Sequence, residues 1–303
     1  KGKNVRLRNA VIKNNLDFTL LKNGQNVLVT SSIEIKNTVF EGSVKFRKAI
    51  FEKSFICESD QFKGPVDFSF SQFNEFAHFT KSTFNKDARF LGSHFGRSVY
   101  FNESQFCGIS EFGASHFAAD VFFIKARFFK GALFTGSSFM GKAYYLASRF
   151  DEDTFFGDIT FKDAQFNRCH FCGFASFEKS RYETGNFNGS RFSGSAGFQK
   201  SSFERDASFI ASKISGSANF ESAFFRGRLI LDKSEIHSMN LSVNFAEGSS
   251  ISLKHSEYHR LEVNWANIKD KIGYDGPTYL ALVKNFGRDP LIGLSFVIWK
   301  GQE

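Results

Sequence analysis

The 303 residues include 3 Pro, 2 Met, 2 Trp and 4 Cys. So little Pro leaves nothing to punctuate a loop-rich or PPII-like chain. Four thiols (Cys57, Cys107, Cys169, Cys172) are too few to staple a chain of this length, and a reducing, cytoplasmic compartment is the expectation. No apolar run reaches the roughly 18 residues of a membrane span. No signal-peptide pattern opens the chain and Lys1 stands where a Met is expected, which reads as a processed or excised piece. Hydrophobic residues at 42% and charged residues at 23% exclude a disordered polymer. The net charge of +8 permits an anionic partner without requiring one.

What the chain has is phenylalanine, 43 residues of it. From Phe62 the rings fall at 68, 73, 79, 84, 90, 95, 101, 106, 112, 117, 123, 128, 134 and 139, alternating steps of five and six. Tyr145, Phe150, Phe156 and Phe161 continue the series, and steps of five or six carry it through Tyr182, Phe203 and Ile214 to Phe225. Two residues before nearly every ring stands a small side chain, such as Ala77, Ser82, Ala88, Ser93, Val99, Ser104 and Ala132. The unit is small–x–Phe–x–x, with one residue inserted after every second unit. Helices repeat at 3.6 and half-buried strands at 2, so neither explains the period. A solenoid does: each unit is one short side of a coil, and the small residue and the ring, two apart, point to the same side. One such coil cannot bury its apolar face alone, so many must stack. The small residue is the steric partner of the ring, and Ala132 has no room for Leu.

Units such as Ala88-Arg89-Phe90-Leu91-Gly92 and Ser104-Gln105-Phe106-Cys107-Gly108 resemble the pentapeptide-repeat family, over roughly residues 5–274. The resemblance implies an all-β, right-handed quadrilateral β-helix with four units per turn, here about twelve coils of about 22 residues. Phe replaces the family's Leu almost throughout, and the inserted residue reads as a corner bulge.

The ends depart from the rhythm. Leu7, Ile12, Phe18, Val29, Ile35 and Phe40 keep it loosely, around a turn excursion at 21–26. The stretch 244–250 breaks it, and Leu253, Tyr258, Val263, Ile268 and Tyr274 resume it with mostly aliphatic centres. Residues 1–274 are therefore expected to form the β-helix. Residues 275–303 form a C-terminal cap or linker, with a helix beginning at Pro277 that covers the open edge of the last coil. A flanking membrane or partner domain in a longer protein is the rival reading of that end.

No catalytic constellation, metal set or cofactor motif stands out. His94 and His116 should stack one coil apart in an outward column, without further ligands beside them. Cys169 falls in the small inward slot and Cys172 faces out, so the pair is no zinc half-site. Carboxylates are scattered over an exterior that surrounds a ring-filled interior, so an enzyme is not expected.

Two outward columns remain. The residue before the ring on one face reads Thr83, Gln105, Arg127, Arg149, His170, Arg191, Lys213. Its basic members Arg127, Arg149, His170, Arg191 and Lys213 form a candidate track for nucleic acid or another polyanion, against the alternative of an ordinary charged face screened by nearby Asp151, Glu152 and Asp206. A second column reads His78, Tyr100, Phe122, Tyr144, with Ile124 and Leu146 beside it; Leu133 and Phe155 are read as extending it on the next face. This apolar strip is the candidate protein interface, most simply with a second copy of the chain. The expected function is a non-enzymatic interaction scaffold, with polyanion binding as the alternative. The resemblance also suggests mimicry of duplex DNA against type II topoisomerases, which needs an acidic surface; the +8 charge has the wrong sign.

Overall fold

The computed structural model describes residues 4–19, 26–263, 265–273 and 297–300. Short strands, most of two residues, stack in parallel into a 21-stranded and a 22-stranded sheet. The chain winds about 11 turns as a right-handed β-helix. Register is coil on coil, ring on ring: Phe62 pairs with Phe84, Phe84 with Phe106 and Phe106 with Phe128. Every position of the small–x–Phe series from Phe62 to Phe225 that was read as inward is buried.

The rings form four columns. Along the axis they stack nearly parallel, as in Phe84–Phe106 at 4.9 Å and Phe106–Phe128 at 4.8 Å. Across the axis two columns meet edge to face, as in Phe101–Phe112 at 5.4 Å and 82°. Both arrangements suit the ring quadrupole better than an eclipsed sandwich, and the strand spacing of about 4.8 Å is also a ring-stacking distance. A column of Phe therefore satisfies backbone and side chain with one repeat.

The alternating steps correspond to two kinds of corner. The five-residue corner is a tight turn: Ser82 N–H donates to the Phe79 carbonyl at 3.2 Å, and Lys81 between them has φ 60°. A left-handed third residue is the signature of a type II turn. It recurs at Glu103, Ala114, Lys125 and Ala147, with Gly there at Gly92 and Gly136. The inserted sixth residue lies in the other corner, an open bend. There backbones of successive coils approach so closely that a Cβ on Gly108 would lie 2.4 Å from the Lys86 carbonyl carbon. That glycine is selected for approach rather than for φ. Where the insertion is missing, the bend straightens into a continuous strand, as in Thr160–Gln165 and Arg181–Asn186, and the coil shortens by one residue.

The small slot also divides by corner. After the bend it holds mainly Ala or Val (Ala77, Ala88, Val99, Val121, Ala132). After the tight turn it holds mainly Ser, whose hydroxyl donates to a carbonyl of the preceding coil: Ser93 to Phe68 at 2.8 Å, Ser104 to Phe79 at 2.7 Å, Ser115 to Phe90 at 2.6 Å. A buried carbonyl left unmatched costs about 1–3 kcal/mol, so the slot needs a short donor as well as small volume.

The break at 244–250 is absorbed by a short coil in which Phe245 still follows Phe225, at 5.5 Å and tilted 33°. Val263 and Ile268 are buried as expected, but Ile268 sits on a one-turn helix, Trp265–Ile268, rather than on a strand. All but Asn26 of the turn excursion at 21–26, the domain boundary near Tyr274 and the helix expected from Pro277 lie outside the described residues. Val297–Lys300 is a strand, antiparallel to Glu257–Val263. The last coil offers unpaired N–H and C=O groups, and a β-branched segment closes such an edge by extending along it.

Candidate functional site

Both outward columns exist in the expected register. Arg127 pairs with Arg149, Arg149 with His170, His170 with Arg191 and Arg191 with Lys213, and beyond Lys213 the column turns acidic at Glu235 and Glu257. Like charges one strand apart repel unless compensated, and most of these are. Asp151 accepts from both Arg127 at 2.8 Å and Arg149 at 2.5 Å, and Lys213 pairs with Glu235. Partial burial of the Asp151 carboxyl works against ionisation, but the two guanidinium hydrogen bonds outweigh it and hold the pKa below its ordinary value. Arg127 also lies over the Phe129 ring at 4.1 Å.

His170 is held in one tautomer. Arg149 Nη1 lies 2.6 Å from His170 Nδ1, and Ser193 Oγ lies 3.0 Å from Nε2. A guanidinium only donates, so Nδ1 accepts and the proton sits on Nε2, facing the Ser193 hydroxyl. Desolvation, then the charges of Arg149 and Arg191, lower the His170 pKa, so it adds no charge to the column at neutral pH. Arg191 is exposed and forms no ion pair among the described residues. The basic run is thus a mostly neutralised ladder with one uncommitted guanidinium.

The apolar column stacks ring on ring. His78–Tyr100 centroids are 4.2 Å apart, Tyr100–Phe122 4.8 Å and Phe122–Tyr144 4.9 Å, with the last two pairs within 10° of parallel. All four rings are half-buried, and burial lowers the pKa of His78, which favours the neutral ring. Ile124 and Leu146 form a parallel half-buried column two residues further along the chain. Asn102 precedes Ile124, its Oδ1 accepting the Ile124 N–H at 3.1 Å, and Asn167 follows Leu146.

Leu133 and Phe155 do not extend this strip, contrary to expectation. They belong to the other sheet, and the inward rings beside Phe122 and Leu133, Phe123 and Phe134, meet edge to face across the axis at 5.6 Å. Rings that face each other inside carry outward neighbours on opposite sides of the rod. Leu133 and Phe155 instead share their side with exposed Ile109 and Phe174, whose ring covers the backbone at Gly197. The signal for Ile109 and Phe174 was an apolar residue at the last position of the open bend, where Asp87 and Asp153 stand in other coils.

The remaining candidates fall as read. His94 and His116 stack at 5.0 Å. Cys169 takes the serine slot, its thiol donating to the Tyr145 carbonyl at 2.7 Å, while Cys172 faces out beside Asp151. Burial pushes the Cys169 thiol far up. A shallow recess near the C-terminal coils is lined by Lys213, Glu235, His237, Glu257 and His259. Among the described residues no three His, Cys, Asp or Glu side chains are grouped to hold a metal ion, and no helix is long and apolar enough to cross a membrane.

Stacked five-residue units, four columns wide and parallel throughout the coils, define a repeat scaffold of the β-solenoid class. The family model described as pentapeptide repeats (9 copies) matches residues 61–105 and 187–235 of the chain. No curated protein matches it. Two solved structures of trypsin-treated variants of QnrB1, a plasmid-mediated fluoroquinolone resistance protein, are similar. One is 13% identical over 93% of this chain and 96% of that chain, with a TM-score of 0.22. The other is 12% identical over 93% and 95%, with a TM-score of 0.23.

Proposed function

We propose that this solenoid is a non-enzymatic scaffold that self-associates through the strip of Tyr100, Phe122, Tyr144, Ile124 and Leu146. The observation that carries the reading is the outward ladder of stacked rings. Aromatic rings are enriched at the centres of interfaces, and a contiguous apolar strip with a polar border is the usual anatomy of one. Here Asn102, Gln165 and Asn167 supply that border. The strip runs along the axis of a repeating rod. A two-fold axis perpendicular to it would lay it antiparallel on its own copy, ring column against aliphatic column, the isologous contact that closes a dimer. Four free thiols suit a reducing compartment such as the cytoplasm.

Sedimentation velocity across a wide concentration range tests the reading. The parent protein should form a dimer, and Phe122→Asp, which places a carboxylate at the centre of the strip, should weaken it about a hundredfold, as a central anchor does. A parent that stays monomeric at the highest concentration, or a Phe122→Asp dimer of parental affinity, sinks the proposal.

A further inference from the structure

The interior holds rings, aliphatic side chains, thiols and short hydroxyls, and one carboxyl. Asp60 is 1% exposed and is the one buried carboxylate among the described residues. It takes the serine slot of its coil, one turn before Ser82. Its Oδ1 accepts the Thr38 N–H at 2.8 Å, and the Cys57 thiol hydrogen-bonds to the same carboxyl. The Asp60 N–H donates to Ser82 Oγ at 3.2 Å, and that hydroxyl is committed to the Cys57 carbonyl at 3.1 Å. Asp60 Oδ2 is buried and has no partner.

Among the described residues no countercharge reaches it. On its own coil Glu58 adds like charge, and Glu58 is itself paired with Lys36 of the preceding coil at 2.7 Å, which also reaches Glu34 at 3.7 Å. From the following coil His78 faces outward, stacked on Tyr100, and Ser82 carries no charge. A bare carboxylate with an unmatched oxygen in a dry interior is strongly disfavoured, whereas the neutral acid is tolerated.

We propose that the coils spanning 33–62 contain a proton-operated latch: Asp60 is packed as the neutral acid, and loss of its proton opens these coils ahead of the ring-laddered coils beyond them. Burial raises the Asp60 pKa to about 7, against the restraining hydrogen bonds from Thr38 and Cys57. The folded value therefore lies above the unfolded one, the native state holds the extra proton between those values, and stability falls as pH rises through the interval. One proton makes the opening constant climb about tenfold per pH unit between about pH 5 and pH 7 and level off above.

Hydrogen exchange followed by mass spectrometry on the full chain from pH 5 to 8, corrected for intrinsic exchange, reads this directly. Peptides from 33–62 should lose protection about tenfold per pH unit relative to peptides from 84–139, with a plateau above about pH 7. Asp60→Asn, which keeps the shape without the titration, should remove the slope. So should Asp60→Ser, which installs the residue used in this slot by the neighbouring coils. Parallel profiles for the two regions of the parent, or a slope that persists in whichever of the two variants folds, overturns the latch.

Discussion

The amino-terminal coils and the central coils share a backbone and differ in what fills it. From Phe62 to Phe225 nearly every unit puts its bulk at the third position and keeps the first small, Ile159 being an exception. Before that the assignment slips. Ile33 and Ile35 split the volume evenly, and one coil later it is inverted, with Phe55 in the small slot and Cys57 in the ring column above Phe79. Phe55 meets Phe68 edge to face at 5.4 Å and 76°, much as Phe79 does at 5.6 Å and 70°. A ring launched two residues early fills the place that the ring column leaves empty. The fold therefore fixes a volume per layer and a direction, and is indifferent to which of the two inward positions supplies the bulk. Cores generally tolerate volume-conserving exchange in this way.

That comparison can be broken most severely in the central ladder. Phe112→Ala removes a ring stacked at 4.9 Å on both Phe90 and Phe134. It should cost about 3–5 kcal/mol, read by denaturant unfolding, while Ile35→Val in the slack coil should cost about 0.5–1.5 kcal/mol. Equal losses would mean that the ladder is no better packed than the end. Cys57→Phe alone should overpack and cost about 1–3 kcal/mol, and adding Phe55→Ala should recover most of it, giving a double-mutant coupling of opposite sign to the single losses. Additive losses would show that the two positions do not share one space. The smallest effect concerns corners common to both regions: Lys125 holds φ 57°, and Lys125→Gly should stabilise by about 1 kcal/mol in the same unfolding measurement.

The interior was legible because a ring every five or six residues has a single physical explanation, and every such position from Phe62 to Phe225 is buried. The columns were legible too, since stacking fixes the one-coil register. Which columns are neighbours around the rod was not. Placing Leu133 beside Tyr144 requires knowing the sense of each corner, and that information lies in backbone angles such as the left-handed Lys125 rather than in any residue preference. That Asp151 screens the basic column was legible from its place two residues after Arg149; that this one carboxylate serves both Arg127 and Arg149 was not, because Arg127 lies a full coil away along the chain.

Sequence alone therefore determined the period and the inward set, and the number of coils to within about one turn, since each follows from one-dimensional spacing and the need to bury apolar area. Tertiary structure decided which outward ladders share a side, which charges are spent on one another, and that the inward Asp60 meets no countercharge among the described residues. Those depend on angles and distances between residues about 22 positions apart, where the chain's order no longer orders space.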